Sequence, residues 1–478
     1  MALRNQVDRY KLYHTMRTFA VHTLGCKVNQ YESQQIGELL ERIGLCAVET
    51  SQEQPDLIVV NTCCVTHTAS AKSRQCIRRA KRLNPDAAVV VCGCLPSLQI
   101  GELSDPSENV YLIGGHESLA DTLNLILTGP ATLSGSKSFH SNPHNIIRAE
   151  SSQEIKHKNH FAEQLQLKAL KSFKGHTRAF LKVQDGCDGC CSYCVIPQTR
   201  PKVWSKAPKA ALQEAQALVE AGHREIVVTG IFLGAYGQKS VRRKSWSRPD
   251  NDKLAALLEK MARIPRLERI RLSSLEPKDV TPRLLDVFSE NRNIMPHLHL
   301  SLQSGSNRVL RKMRRQYTAE EFRETTELIR SRLDRPAITT DIMVGFPGET
   351  DEDFEQTMAL ATAAGFAKMH VFSFSPREGT AAFVMQDPVN KAVTKERSRT
   401  LRQLDKDLGW RFRGQFVGQK ADVLLERANG CVAGRSERYF TVYLESSDSS
   451  YRQNDLVKAR LTANTKSGMI GRPITRRV

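Results

Sequence analysis

The sequence predicts an α/β protein in three parts: an N-terminal parallel α/β domain, a central partial (βα)6 barrel and a small C-terminal β-barrel. Three observations predict it. Strand and helix patterns alternate from Thr18 onward, and alternation resumes at Ala179 for six further βα units. After about Asp405 the period shortens to strands separated by turns. The expected boundaries are 17–129, a linker at 130–172, 173–403 and 406–478. A chain of 478 residues is long enough for each part to have its own core.

In the first part, Thr18–Leu24 reads as a strand with Cys26 at its end, and Glu32–Ile43 has helical spacing. Asp56–Thr62 is a short apolar run of the kind found in covered parallel strands, followed by Cys63. Ala69–Leu83 is a basic helix; Ala87–Cys92 is a third strand, with Cys94 just beyond. In a parallel sheet all strand C-termini open on one edge, where ligands bind. Cys26, Cys63 and Cys94 would therefore gather there. Isolated buried cysteines are common in cores, but three at matching strand ends are less easily dismissed. Cys92 lies two residues before Cys94, so a regular pleat would point both to one face. Cys46, Cys76 and Cys431 have no such context and read as structural.

Between about Gly129 and Lys174 the pattern dissolves into Ser, Asn, His and Lys, with weak helical signal near Phe161–Leu170. This is the linker. Barrel strands are expected at Ala179–Gln184, Glu225–Thr229, Arg269–Ser273, His297–Leu302, Ile338–Val344 and Met369–Phe374. A barrel of this type carries its site at the C-terminal strand ends, which is where Cys187 falls. The basic stretch Val241–Arg248 could contact RNA or simply be solvated. In the last part, strands are expected at Ala421–Glu426, Arg438–Leu444, Leu456–Leu461 and Thr465–Ile470. Arg427, Arg435, Arg438 and Arg460 make this barrel basic, as suits a nucleic-acid platform.

The formal charge is +19, from 70 Lys and Arg against 51 acids, which favours a polyanionic partner. The N-terminus lacks an apolar core of signal-peptide length and no window approaches a membrane span. The expectation is a cytoplasmic protein with no membrane association. Twelve cysteines in a reducing compartment point to metal or catalysis rather than disulfides.

The densest feature is Cys187-Asp188-Gly189-Cys190-Cys191-Ser192-Tyr193-Cys194. Cys187, Cys191 and Cys194 can hold three corners of a [4Fe–4S] cluster and leave the fourth iron open for chemistry. Structural zinc closes with four ligands, and no partner His stands nearby. This triplet resembles the signature of radical S-adenosylmethionine (SAM) enzymes. Further runs are Thr23–Gln30, Val60–Cys63, Cys92-Gly93-Cys94, Ser301–Ser306, Val344–Thr350 and Phe374–Thr380. With them the chain is similar to the methylthiotransferases, whose C-terminal barrel is a TRAM domain. The stretches Leu24–Glu32, Val65–Gln75 and Thr229–Gly237 bring it nearest to the members acting on threonylcarbamoyladenosine in tRNA. Cys64 and Cys190 fill positions that need not be Cys, and Pro201 stands where Gly is expected after Arg200.

The resemblance implies insertion of a methylthio group at C2 of that adenine, beside the anticodon. It implies two [4Fe–4S] clusters, on Cys187/Cys191/Cys194 and on Cys26/Cys63/Cys94, with SAM. Reductive cleavage of one SAM would give the 5′-deoxyadenosyl radical that attacks C2–H. A second would methylate a sulfur attached to the other cluster. Tyr193, Ser274, Glu276, Gln303 and Gly345 are candidate SAM contacts, and Asp341 and Arg377 possible polar groups of the site. The implied partners are tRNA and a flavodoxin- or ferredoxin-like electron donor, with the chain itself a monomer. Alternatives are the sister reaction on isopentenyladenosine, methylthiolation of a ribosomal-protein aspartate, and a non-enzymatic iron–sulfur RNA-binding redox sensor.

Overall fold

The computed structural model describes residues 16–49, 53–97, 109–114, 166–246, 251–427, 430–445 and 450–477, and isolated positions 119, 122, 123, 126, 146 and 147. Most of the expected linker lies outside these residues, as does 161–165 of its helical signal; residues 166–170 form no helix. The chain divides into two units. One is Met1–Leu170 with Val195–Pro201, and the other is Lys171–Cys194 with Lys202–Val478. Among the described residues no helix is long and apolar enough to cross a membrane.

The first unit is built on a parallel sheet of β1 (Thr18–Thr23), β2 (Cys46–Ala47), β3 (Leu57–Thr62), β4 (Ala88–Gly93), β5 (Val110–Ile113) and β6 (Ile146–Ile147). Their order is β2-β1-β3-β4-β5-β6. Every residue of β3 is buried, as expected of a parallel strand covered on both faces. Helix α1 (Lys27–Arg42) buries Val28, Tyr31, Ile36, Leu39 and Leu40 at helical spacing. It starts five residues before the periodicity suggested, directly after Cys26. Helix α2 (His67–Leu83) is capped by Thr66, whose hydroxyl accepts from the Ala69 N–H at 3.1 Å. The chain passes from β1 to β2 on one side and then to β3 on the other. The crevice at this switch point opens beyond the ends of β1 and β3.

The second unit contains the partial barrel. Strands β7 (Ala179–Lys182), β10 (Glu225–Thr229) and β11 (Arg269–Leu272) pair in parallel. So do β12 (Ser274–Leu275), β13 (His297–Gln303), β14 (Ala337–Val344) and β15 (Lys368–Ser373). Only Ser273 separates β11 from β12, so one succession supplies the six expected strand positions. A two-stranded ribbon, β8 (Gln184–Asp185) with β9 (Trp204–Ser205), follows β7. The helices after the short α3 (Ile196–Thr199) of the first unit are α4 (Pro208–Glu220), α5 (Lys253–Ala262), α6 (Pro282–Glu290), α7 (Asn307–Lys312), α8 (Ala319–Arg332), α9 (Asp351–Ala364) and α10 (Lys391–Gly414).

The C-terminal part closes into a five-stranded barrel, β16 (Lys420–Arg427), β17 (Ala433–Ser436), β18 (Thr441–Leu444), β20 (Met469–Arg477) and β19 (Leu456–Asn464) in spatial order. Two expectations need correction. Strand β17 was not anticipated, and the last strand begins at Met469 rather than Thr465. The reason is local: Thr465 and Gly468 close a turn, the Thr465 N–H donating to the Gly468 carbonyl at 2.8 Å.

Buried arginines fasten this barrel to the central one. Arg269 and Arg271 of β11 are each 1% exposed. Arg271 pairs with Glu225 at 2.8 Å and donates to the carbonyls of Ser436 at 2.7 Å and Glu437 at 2.9 Å. Arg269 donates to the carbonyls of Asp422 at 2.6 Å and Arg435 at 2.9 Å. Tyr439 stacks on His297 with ring centroids 4.6 Å apart. Burial alone would raise the Glu225 carboxyl, but Arg271, Arg269 and Arg178 outweigh it and hold it below its usual value. Arg435 and Arg438, read from sequence as part of a nucleic-acid surface, are half-buried and paired with neighbouring acids. Arg435 reaches Glu426 at 3.3 Å, and Arg438 reaches Glu437 at 2.8 Å.

Removing one partner of a buried charge pair leaves the other uncompensated. Arg271→Ala should therefore lower stability by about 3–5 kcal/mol in urea denaturation and make the C-terminal barrel easier to cleave away. The Glu225 contribution is complete above its ordinary pKa of 4.5 and fades as pH falls below it. The wild-type excess over the variant should shrink at acid pH.

Candidate active site

In the first unit, Cys26 follows β1, Cys63 follows β3 and Cys94 follows β4. Charge on Cys94 raises the Cys26 thiol, and charge on Cys94 and Cys26 raises the Cys63 thiol. Cys26 donates to Asn29 Oδ1 at 3.1 Å, and Asn29 in turn donates to the Thr62 carbonyl at 2.9 Å. Burial raises the Cys26 thiol and pushes Cys63 up to about 11. Cys94 instead is drawn down to about 6, first by hydrogen bonding from Cys64 and then by the Arg200 guanidinium. Arg200 is held by two bonds of 2.7 Å to the fully buried carboxylate of Glu32.

The expected pleat fails at Gly93. Cys92 packs in the layer of Phe19, Ile36 and Val90, whereas Cys94 lies in the opposite layer with Ile58, Val60 and Val91. Gly93 has φ +90, and a Cβ there would stand 2.4 Å from the Thr62 carbonyl oxygen. This glycine turn reverses the alternation and delivers Cys94, not Cys92, to the edge.

In the second unit, Cys187, Cys191 and Cys194 form a loop after β8, fixed from three sides. The Asp188 carboxylate accepts from the Val241 N–H at 2.8 Å and the Ser240 hydroxyl at 2.6 Å. The Ser192 N–H and hydroxyl donate to the carbonyls of Met313 at 3.1 Å and Lys312 at 2.8 Å. The Ser192 carbonyl accepts from the Ala382 N–H at 2.7 Å. Burial pushes Cys187 up to about 12, with Cys194 and Cys191 adding to the rise. Arg315 donates to the Cys191 sulfur at 3.3 Å and pairs with the buried Glu276 at 2.6 Å. Cys190 is exposed.

Comparisons bear on these two thiol trios. Residues 181–361 match the Radical SAM superfamily, and residues 18–115 match Uncharacterized protein family UPF0004. The chain is 35% identical to threonylcarbamoyladenosine tRNA methylthiotransferase MtaB of Chlamydia pneumoniae, over 95% of this chain and 97% of that protein. It is 35% identical to the Bacillus subtilis protein of the same name, over 86% of each. The chain belongs to the methylthiotransferase family of radical SAM enzymes. It is also 31% identical to a tRNA-2-methylthio-N(6)-dimethylallyladenosine synthase of Pelotomaculum thermopropionicum, over 89% of this chain and 91% of that one. Among solved structures it resembles the radical SAM methyltransferase TsrM of Kitasatospora setae at 16% identity and TM-score 0.52, covering 77% of this chain and 74% of that one, which speaks to fold alone.

An enzyme of this family uses a [4Fe–4S] cluster and SAM. The donor chemistry here fits: three thiols on one loop, with a guanidinium beside them to offset the charge of thiolates and cluster. The other expected SAM contacts fall as follows. Tyr193 packs edge-on against Phe346, with centroids 6.5 Å apart, and its hydroxyl is 3.5 Å from Arg315. Ser274 is exposed at the start of β12. Glu276 is taken up by Arg315, with Arg243 at 3.7 Å. Gln303 has φ +66 at an irregularity in the β13–β14 register. The Gly345 N–H donates to Glu349 at 2.7 Å, and a Cβ there would meet Thr394. Arg377 is buried.

Asp341 lies 3.2 Å from His299 Nε2, and with His370 the three place ligating atoms within 4.8 Å of one another. His299 Nδ1 is 3.0 Å from the Thr339 hydroxyl. Part of the basic stretch after β10 is engaged within the protein, while Arg242 and Lys244 are exposed. Arg243 pairs with the buried Asp279 at 2.5 Å, and Arg242 donates to the Asp188 carbonyl at 2.8 Å. Residues 247–250 lie outside the described residues. Sequence reasoning missed Arg200 and Arg315 as neighbours of the thiols. The one signal within reach was Glu32, a carboxylate on the apolar face of α1 that needs a buried partner.

Gly186 (φ +76) precedes Cys187, and a Cβ there would stand 1.8 Å from the Lys202 carbonyl oxygen. Gly186→Ala combines left-handed strain with a backbone clash. It should cost about 2–5 kcal/mol by chemical denaturation and displace the thiol loop, lowering iron uptake.

Proposed function

We propose that this enzyme transfers a methylthio group to C2 of N6-threonylcarbamoyladenosine in tRNA. The observation that carries the reading is near-full-length identity to proteins named for that reaction: 35% over 95% of the chain, 35% over 86% and 33% over 89%. The two thiol trios support it. Cys187, Cys191 and Cys194 would hold the cluster that binds SAM through its open iron, and Cys26, Cys63 and Cys94 a second one. When bound, the first cluster supplies the electron that splits SAM, giving access to a C2–H that polar chemistry does not activate. Arg315 and Arg200 offset negative charge on their respective trios, and each is kept in place by a buried glutamate. The Cys187 loop is held rigidly by Ser192 and Asp188, so its sulfurs keep their spacing.

The polar set on neighbouring barrel strands favours threonylcarbamoyl over isopentenyl. His299, Asp341 and His370 lie on the strand face opposite Leu298, Leu300 and Leu302. Such groups suit the carboxylate and hydroxyl of a threonylcarbamoyl chain better than an apolar isopentenyl tail.

Nucleoside mass spectrometry of tRNA from cells lacking the chain tests the assignment. Methylthio-threonylcarbamoyladenosine should vanish, with its unmethylthiolated precursor accumulating and the isopentenyl counterpart intact. Restoration should require all of Cys187, Cys191 and Cys194. Loss of the isopentenyl form instead would transfer the chain to the sister reaction.

A further inference from the structure

A groove of about 1720 Å³ runs along α10, between that helix and the segment that follows β15. It is larger than the roughly 300–1,000 Å³ of a small-molecule site, so it suits a polymer. One end reaches Gly345 and Pro347, at the strand end of β14, which places it beside the top face of the central barrel.

The helix wall is unevenly charged. Lys391, Lys395, Arg399, Arg402 and Lys406 recur at spacings of four, four, three and four, which puts them on one face of α10. All five line the groove, against two acids, Glu396 and Asp407. The adjoining face of the helix, with Ser398, Leu401, Asp405, Leu408 and Phe412, is buried. Both acids fall to the side of the cationic row, where an ordinary solvated helix would interleave them at i+4. Arg399 does meet Glu396 at 2.7 Å, but both side chains are more than half exposed, and such a pair yields readily to a phosphate.

The facing wall is apolar and aromatic. Phe374, Pro376, Phe383 and Met385 line it, and Phe383 is 49% exposed. Cations along one wall and an open aromatic face on the other is the arrangement that tracks a single strand, phosphates to the cations and bases to the rings. A duplex would need no aromatic face.

We infer that this groove cradles the single-stranded RNA flanking the modified nucleotide, with its phosphates on the α10 row and a base against Phe383. The inference rests on the tRNA reading above and adds to it the surface that holds the strand.

The test uses the anaerobically reconstituted full chain and a synthetic anticodon stem–loop RNA, with affinity measured across a salt series. Each phosphate contact on a single strand contributes about 0.7 to the slope of log affinity against log salt. Lys395→Gln/Arg399→Gln/Lys406→Gln should therefore flatten the slope by about 2 and weaken binding at least about tenfold at low salt. A control with three exposed cations removed elsewhere, Lys209→Gln/Lys260→Gln/Arg263→Gln, should leave the slope unchanged. Reductive SAM cleavage without RNA should match wild type in both, showing that they fold. Wild-type binding with an unaltered slope in the α10 variant overturns the groove assignment alone. Absence of RNA binding by the wild type overturns the tRNA reading, and this inference with it. A variant that keeps RNA affinity but can no longer be reduced by a flavodoxin would give the row to an acidic electron donor, and would overturn the inference too.

Discussion

Each thiol trio has one buried arginine beside it, and each arginine is locked by a buried glutamate. Arg200 is gripped through both nitrogens by Glu32, and Arg315 by Glu276 at 2.6 Å. Burial and neighbouring thiols raise Cys63 and Cys187, whereas Cys94, beside Cys64 and Arg200, is drawn down. Iron binding at thiols raised in this way would have to overcome that cost, because the thiolate is the ligand. A fixed guanidinium lowers the cost of gathering the negative charge. A mobile one would lose entropy each time it did so. The glutamates therefore act at one remove: they keep the arginines ordered without touching sulfur.

The scaffold places these groups by parallel-strand geometry. Strand ends deliver Cys26, Cys63 and Cys94 to one edge of the first sheet, and the loop after β8 delivers the other trio in the second unit. At Gly93 the backbone leaves the conformations open to other residues, and the register of side chains flips there. Arg269 and Arg271 of the central barrel donate into carbonyls of the C-terminal barrel and so fasten the two together within their unit. A buried ionic latch of this kind adds little stability over an apolar seam, but it admits only one docking geometry.

Much of this was legible in the sequence. Strands such as Leu57–Thr62 and Ala88–Gly93 carry near-continuous apolar runs bounded by turns, and covered parallel strands leave that mark. The triplet at Cys187, Cys191 and Cys194 is informative because its spacing has few other uses. The Cys94 assignment could be stated only with Cys92 as a rival, since pleat parity misleads wherever a glycine takes positive φ. Strand β17 (Ala433–Ser436) was hidden: Ala-Gly-Arg-Ser has no β-branched residue, and only its place inside a closed barrel makes it a strand. The basic stretch at Val241 could be read as an RNA contact or as a solvated run, because charge in sequence says nothing about pairing. In the fold Arg243 is committed to Asp279, while the α10 row, interspersed with other residues along a 24-residue helix, escaped notice.

The account stands on two separate iron sites of three thiolates each. Iron and sulfide content, with the Mössbauer spectrum of the anaerobically reconstituted protein, measures this directly. About eight irons per chain are expected in wild type. About four should remain when Cys26, Cys63 and Cys94 are changed to Ala, and about four when Cys187, Cys191 and Cys194 are changed instead. Wild-type protein that saturates at about four irons, or an N-terminal triple variant that loses none, would contradict it.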